Sequence, residues 1–154
     1  MAIDAAAPFP VHVILAAQAW ASAAMCGLIW FVQLVHYPLF ARVGGERSAE
    51  HAAENQRRTS WVVVPFMLVE MAAAIAIAIV PPAGIGRGVA VAGVVLVIVI
   101  WASTVLVQMP LHARLGPEGH APEVVAALVR TNWFRTAAWT VRAALAIWML
   151  HVAG

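Results

Sequence analysis

Apolar residues fill four long blocks of this chain, at 12–37, 61–80, 88–110 and 133–151, with short polar clusters between them. Crossing the hydrocarbon of a bilayer takes about 20 helical residues, so each block is a candidate span. A segment in lipid has to satisfy its own backbone, which makes helices the expectation. Pro81-Pro82 stops the second block, and Gly84, Gly86 and Gly88 turn tightly into the third. Pro10 suits the first turn of the first helix. Pro38 and Pro110 should kink the first and third helices near their ends. Pro122-Glu123 reads as a helix start, so the fourth helix should begin before the membrane and run through Trp133. The second should begin near Ser48, a plausible cap, with Glu50, Glu54 and Arg58 four apart as a solvated charge ladder. The expected fold class is all-α: one transmembrane domain over 1–154, built as an integral membrane four-helix bundle.

The pattern also recurs at an offset of 72. Residues 36–44 read HYPLFARVG and 108–116 read QMPLHARLG, and RTSW at 58–61 returns as RTNW at 130–133. From Leu34 to Trp61, 12 of 28 positions match their partner without a gap. A fixed period of this kind dictates architecture. It predicts two parallel two-helix repeats, about 12–80 and 88–151, related by an axis along the membrane normal.

Composition narrows the setting. The chain is 64% apolar and 10% charged, against about 25% charged in soluble domains. It cannot dress a water-facing surface. All nine cations are Arg. Seven of them (Arg42, Arg47, Arg57, Arg58, Arg114, Arg130 and Arg135) flank the loops after the first and third blocks, and Arg87 lies at the other end. Positive charge stays cytoplasmic. The expected placement is a bacterial inner membrane, multi-pass, with both termini outside and both long loops inside. Trp61 and Trp133 then fall at the boundary. The first cation is Arg42, so no basic leader region is expected and the first block should stay in the mature protein. No basic groove or helix is present to hold nucleic acid. Cys26 is the single cysteine and gives no disulfide information.

Several polar side chains lie where lipid should be. Glu70 and Arg142 are related by the offset. Each is twelve residues past its loop arginine, so ~18 Å deep at helical rise. A charge at that depth costs at least about 2.5 kcal/mol on insertion scales, so the two should pair. Arg135, one heptad before Arg142 on the same helix face, could reach the same carboxylate. The pair either fixes helix register or forms an anion, polar-ligand or proton-handling site. His36 is matched by Gln108 and His112 by Phe40. This predicts two layers, His36 opposite Gln108 and Phe40 opposite His112. Neutral imidazole is a common ligand of metals and haem iron, so a metal or haem is open for His36 and His112. Glu70 would complete a two-His, one-carboxylate set, but it lies ~9 Å deeper than His36 at helical rise. Hydrogen-bonded interface histidines, or acid–base groups, are the other readings. Gln18, Ser22 and His36 share a phase, with Gln33 at its edge, and Thr104, Gln108 and His112 follow at four-residue steps. These stripes suggest an internal pocket, or simply glue between helices. Trp30, Trp101 and Trp139 lie inside the membrane and either pack there or line a cavity for a flat ligand. The corner arginines Arg42, Arg58, Arg114 and Arg130 anchor the rim or bind anions. Glu46 and Glu118 suggest corner salt bridges, and His51 and His120 are read as solvated loop residues. There is no G-x-S-x-G elbow, phosphate loop or cysteine cluster. Broken midplane helices of a transporter are not evident, and a channel would need oligomerisation.

The run QMPLHARLG followed by LVRTNWFRTAAWTVR looks like a pattern found in small four-span bacterial membrane proteins. More distantly, it resembles the anthrone-oxygenase-like family, whose members are also small four-helix membrane proteins. The resemblance implies oxidation of a flat, hydrophobic phenolic or quinone-like substrate. Two function classes follow. One is an oxidoreductase or oxygenase with His36, His112 and Glu70 in chemical roles, and Gln33, Gln108, Arg135, Arg142, Trp101 and Trp139 binding. The other is a non-catalytic accessory or scaffold subunit. Expected partners are the lipid bilayer, a hydrophobic small molecule, and other membrane subunits or a second copy.

Overall fold

A computed structural model describes residues 11–40, 42, 48–115 and 121–153. Pro10, Gly44, Glu46, Arg47, Gly116, Glu118 and His120 lie outside the described residues, as does the Ser48 side chain expected as a cap. Four helices account for nearly all the rest. They are α1 (Val11–Phe40), α2 (Ser48–Ile79), α3 (Arg87–Leu115) and α4 (Pro122–Ala153). All four are long and apolar enough to cross a membrane, and the chain is a multi-pass membrane protein of the helical-bundle class. The expected helix starts near Ser48 and at Pro122 are both present. His51 lies on α2 rather than in a loop. α2 also runs unbroken through Pro65.

α1 packs against α2 and α4, and α3 does the same, so α1–α3 and α2–α4 are the diagonals of the bundle. The turn from α2 to α3 is fixed chemically. Gly84 has φ +83°, and a Cβ there would stand 2.8 Å from the Val152 carbonyl oxygen of α4. Only glycine accepts both the left-handed backbone and that approach.

Where kinks are expected, before Pro38 and Pro110, the two helices carry π turns. α1 holds a π turn over Val32–His36 and α3 holds one over Thr104–Gln108, and these positions are 72 apart. Each turn lies directly before an X-Pro pair, Tyr37-Pro38 and Met109-Pro110. Proline lacks an N–H and its ring crowds the carbonyl one turn back. A turn one residue wider moves that carbonyl away. The bond is then made by the preceding residue, so Tyr37 N–H bonds Val32 O and Met109 N–H bonds Thr104 O. Such bulges often mark functional positions.

Two apolar clusters form the core. One gathers Met25, Ile29, Phe40, Met67, Ile100 and Trp139, and the other Leu15, Ile77, Ile85, Ala90 and Met149. Between them α1, α2 and α4 contribute a polar layer of Gln18, Ser22, Glu70 and Arg142, which begins the candidate site. The outer faces are apolar: Leu106, Ile79 and Trp20 are all more than half exposed, as surfaces meant for lipid should be.

Candidate functional site

Glu70 on α2 and Arg142 on α4 meet across the bundle diagonal. Arg142 Nε lies 3.3 Å from Glu70 Oε1, with both side chains fully buried. The expected pairing is therefore present as an ion-pair contact, though not in hydrogen-bond geometry. Other partners complete the carboxylate. Ser22 Oγ donates to Oε1 at 2.7 Å and Trp139 Nε1 to Oε2 at 3.2 Å. Arg142 donates from NH2 to Gln18 Oε1 at 2.7 Å. Its NH1 has no partner and lies where a Cβ on Gly93 would come within 3.2 Å. The glycine makes room for the guanidinium. An acid and a base at mid-depth thus neutralise each other, which offsets the several kcal/mol that each would cost alone.

A second centre lies nearer the loops joining α1 to α2 and α3 to α4. It is a cavity of about 250 Å³. Met25, Val32, Val63, Met67 and Trp101 form its apolar side. His36, Tyr37, Gln108, His112 and Arg135 form its polar side. Asn55, Gln56, Thr59 and Ser60 of α2 add a polar edge. The two π turns build this wall. Val32 and Tyr37, now one turn apart, both line the cavity, and so do Thr104 and Met109.

The Tyr37 hydroxyl is 2.9 Å from His112 Nε2. It also interacts with the Arg135 guanidinium. An arginine can only donate, so toward Arg135 the hydroxyl oxygen is the acceptor. Arg135 NH1 donates to Asn132 Oδ1 at 3.1 Å, and its guanidinium stacks over the Trp139 ring at 5.1 Å. Three buried polar atoms of cavity-lining residues have no partner: Trp101 Nε1, Gln108 Oε1 and Arg135 Nε. Buried polar atoms are nearly always hydrogen-bonded, and exceptions call for a ligand, a water or a function.

The structure sorts the expected residues into these two centres and a structural seam. His36, Gln108, His112, Arg135 and Trp101 line the cavity. Glu70 and Arg142 do not; they form the deeper pair. Trp139 is fully buried and joins the two, touching Arg135 on one side and Glu70 on the other. Arg135 does not reach the Glu70 carboxylate as expected, because Tyr37, Asn132 and the Trp139 ring hold it one layer higher. Gln33 belongs to neither centre. Its Nε2 donates to the Val129 carbonyl at 3.1 Å, and its Oε1 accepts from Asn132 at 2.9 Å, which ties α1 to α4. The expected layers are also adjusted. The His112 and Phe40 rings are 6.4 Å apart, but the polar partner of His112 is Tyr37. Trp30 packs edge-on against Trp133 and donates to Thr140, outside the cavity. At the rim Arg58 pairs with Glu54 at 2.6 Å, which realises the charge ladder.

Tyr37 and Asn132 are the residues that the sequence pattern missed. The signal for Tyr37 was its place before Pro38, since a proline-induced π turn re-aims the residue before it. Among the described residues no three His, Cys, Asp or Glu side chains converge as a metal-ligand set. The cavity, at about 250 Å³, is smaller than the ~300–1,000 Å³ of sites for drug-sized ligands. No family model, curated protein or solved structure matches the chain.

Proposed function

We propose that this membrane protein is an oxidoreductase that uses dioxygen as oxidant and acts on a flat, hydrophobic phenolic or quinone-like substrate. The observation that carries the reading is the divided cavity. One side is apolar and tryptophan-lined; the other brings His112, Tyr37 and Arg135 together beside unpartnered polar atoms. At about 250 Å³ it holds a ring system and its head group, while an aliphatic tail would extend between helices. The Tyr37–His112 pair takes the phenolic proton. The oxidant is dioxygen. For a hydroquinone the balance is two electrons and two protons passed to dioxygen, giving quinone and hydrogen peroxide. The distant resemblance to anthrone-oxygenase-like proteins points the same way.

The two helical hairpins, α1–α2 and α3–α4, are read as two copies of one unit around an axis normal to the membrane. The 72-residue offset, the π turns at matching positions and the diagonal Glu70–Arg142 pair support this. The membrane is taken as a bacterial inner membrane. Arg42, Arg57, Arg58, Arg114 and Arg130 mark the cytoplasmic end, and Arg87 the other.

The test is oxygen consumption by the purified protein in detergent with 1,4-naphthohydroquinone. The expected result is turnover above the empty-micelle rate, lost in His112→Ala. Wild-type protein that neither exceeds that rate nor binds the naphthoquinone product rejects the proposal. A second reading, an accessory subunit, rests on the exposed apolar faces of all four helices, which suit partner helices as well as lipid. It predicts stable co-purification with another membrane protein.

A further inference from the structure

We infer that the cavity binds its ligand as an oxyanion, with Arg135 as counter-ion. The inference rests on the cavity being a ligand site and names the charge and hydrogen-bonding pattern of what enters it. Arg135 is 6% exposed and lines the cavity. Among the described residues no carboxylate pairs with it. Its partners are the neutral Asn132 amide, the Tyr37 hydroxyl and the Trp139 ring face. The contrast with Arg142 is internal to the protein. That guanidinium, seven residues deeper on the same helix, has the Glu70 carboxylate. A buried cation without a counter-charge is costly, and an unpaired guanidinium facing a cavity is how proteins hold planar anions.

The remaining unpartnered atoms refine the ligand. Arg135 Nε and Trp101 Nε1 are donors, and Gln108 Oε1 is an acceptor. The Gln108 amide cannot be turned over. Its Nε2 donates to Thr131 Oγ1 at 2.9 Å, and that hydroxyl already donates to the Ala127 carbonyl at 2.7 Å. Oε1 is therefore fixed as the free acceptor. The three atoms are themselves buried, so their side chains turn toward the ligand as it binds; the complementary ligand offers an anionic oxygen to Arg135, a second acceptor to Trp101 and one hydroxyl to Gln108, on a flat apolar body.

The experiment compares four probes on the purified protein in detergent, with partition into empty micelles subtracted. They are 2-naphthoate, 3-hydroxy-2-naphthoate, 2-naphthol and the uncharged 2-naphthamide, followed by tryptophan fluorescence and ligand absorbance. The expected result is that 2-naphthoate binds at least tenfold more tightly than 2-naphthamide, and 3-hydroxy-2-naphthoate more tightly again. Arg135→Gln removes the preference, Arg135→Lys keeps part of it, and Arg130→Gln, on the exposed rim, leaves it unchanged. A naphtholate absorption band from bound 2-naphthol at neutral pH assigns the anion to a phenolate; tight 2-naphthoate binding without that band assigns it to a carboxylate. The wild-type comparison needs no variant, so misfolding of Arg135→Gln does not shield the inference. Equal binding of 2-naphthoate and 2-naphthamide with no naphtholate band overturns the anion and leaves the cavity as a site. Binding of none of the four overturns both.

Discussion

Tyr37 and His112 meet at 2.9 Å although they stand 75 positions apart, and Tyr37 is the residue whose N–H closes the π turn of α1. Tyr37→Phe removes the hydroxyl and nothing else. It leaves His112 Nε2 without its partner inside the bundle. Losing one partner of a buried hydrogen bond costs about 1–3 kcal/mol. Thermal unfolding in detergent should show a loss in that range, and 2-naphthoate affinity should fall with it. A variant as stable as wild type would mean that the contact contributes nothing to the fold.

The deep pair yields a double-mutant cycle. Glu70→Gln leaves the buried Arg142 charge uncompensated and should cost about 3–5 kcal/mol. Adding Arg142→Gln removes the stranded charge, so the double variant should be more stable than the sum of the two single losses predicts. Strict additivity would show that the 3.3 Å contact carries no coupling.

Gly93 offers an independent probe of the same layer. A Cβ there would stand 3.2 Å from Arg142 NH1 and 3.6 Å from Met149 Cε. Overpacking of this kind costs about 1–3 kcal/mol. Gly93→Ala should destabilise the wild-type protein to that extent and cost much less in an Arg142→Gln background, where the shorter side chain vacates the space. An equal penalty in both backgrounds would place the strain elsewhere.

Pro38→Ala and Pro110→Ala test the origin of the π turns. With an N–H restored, each helix can close an ordinary turn and rotate Tyr37 or Met109 away from the cavity. Helical content by circular dichroism should stay constant while 2-naphthoate affinity drops at least tenfold. Unchanged affinity in both variants would separate the bulges from the prolines.

The helical architecture was legible because lipid imposes a simple rule. Apolar blocks of spanning length, bounded by Pro81-Pro82 and by the Pro122-Glu123 start, leave little choice. The partnership of Glu70 with Arg142 was legible for a different reason: the internal offset aligned an acid with a base at one depth. The cavity was harder to read. A count at 3.6 residues per turn groups Gln33 with the cavity stripe and ignores Tyr37. The turn over Val32–His36 closes one residue later, which leaves Gln33 facing α4 and delivers Tyr37 beneath Val32. Arg135 failed on the same kind of ground. Heptad spacing puts it in line with Arg142, but a tyrosine, an asparagine and a tryptophan face hold it before it reaches the acid.

The ion pair joins one hairpin to the other, and this bears on how the protein is made. Cut between α2 and α3, the chain would yield one fragment with a bare acid in the lipid and another with a bare base. Neither fragment is a sound membrane protein by itself. Keeping both on one polypeptide means that the ribosome delivers the two charges in fixed ratio and close succession, so the cell never has to find a mate for either half.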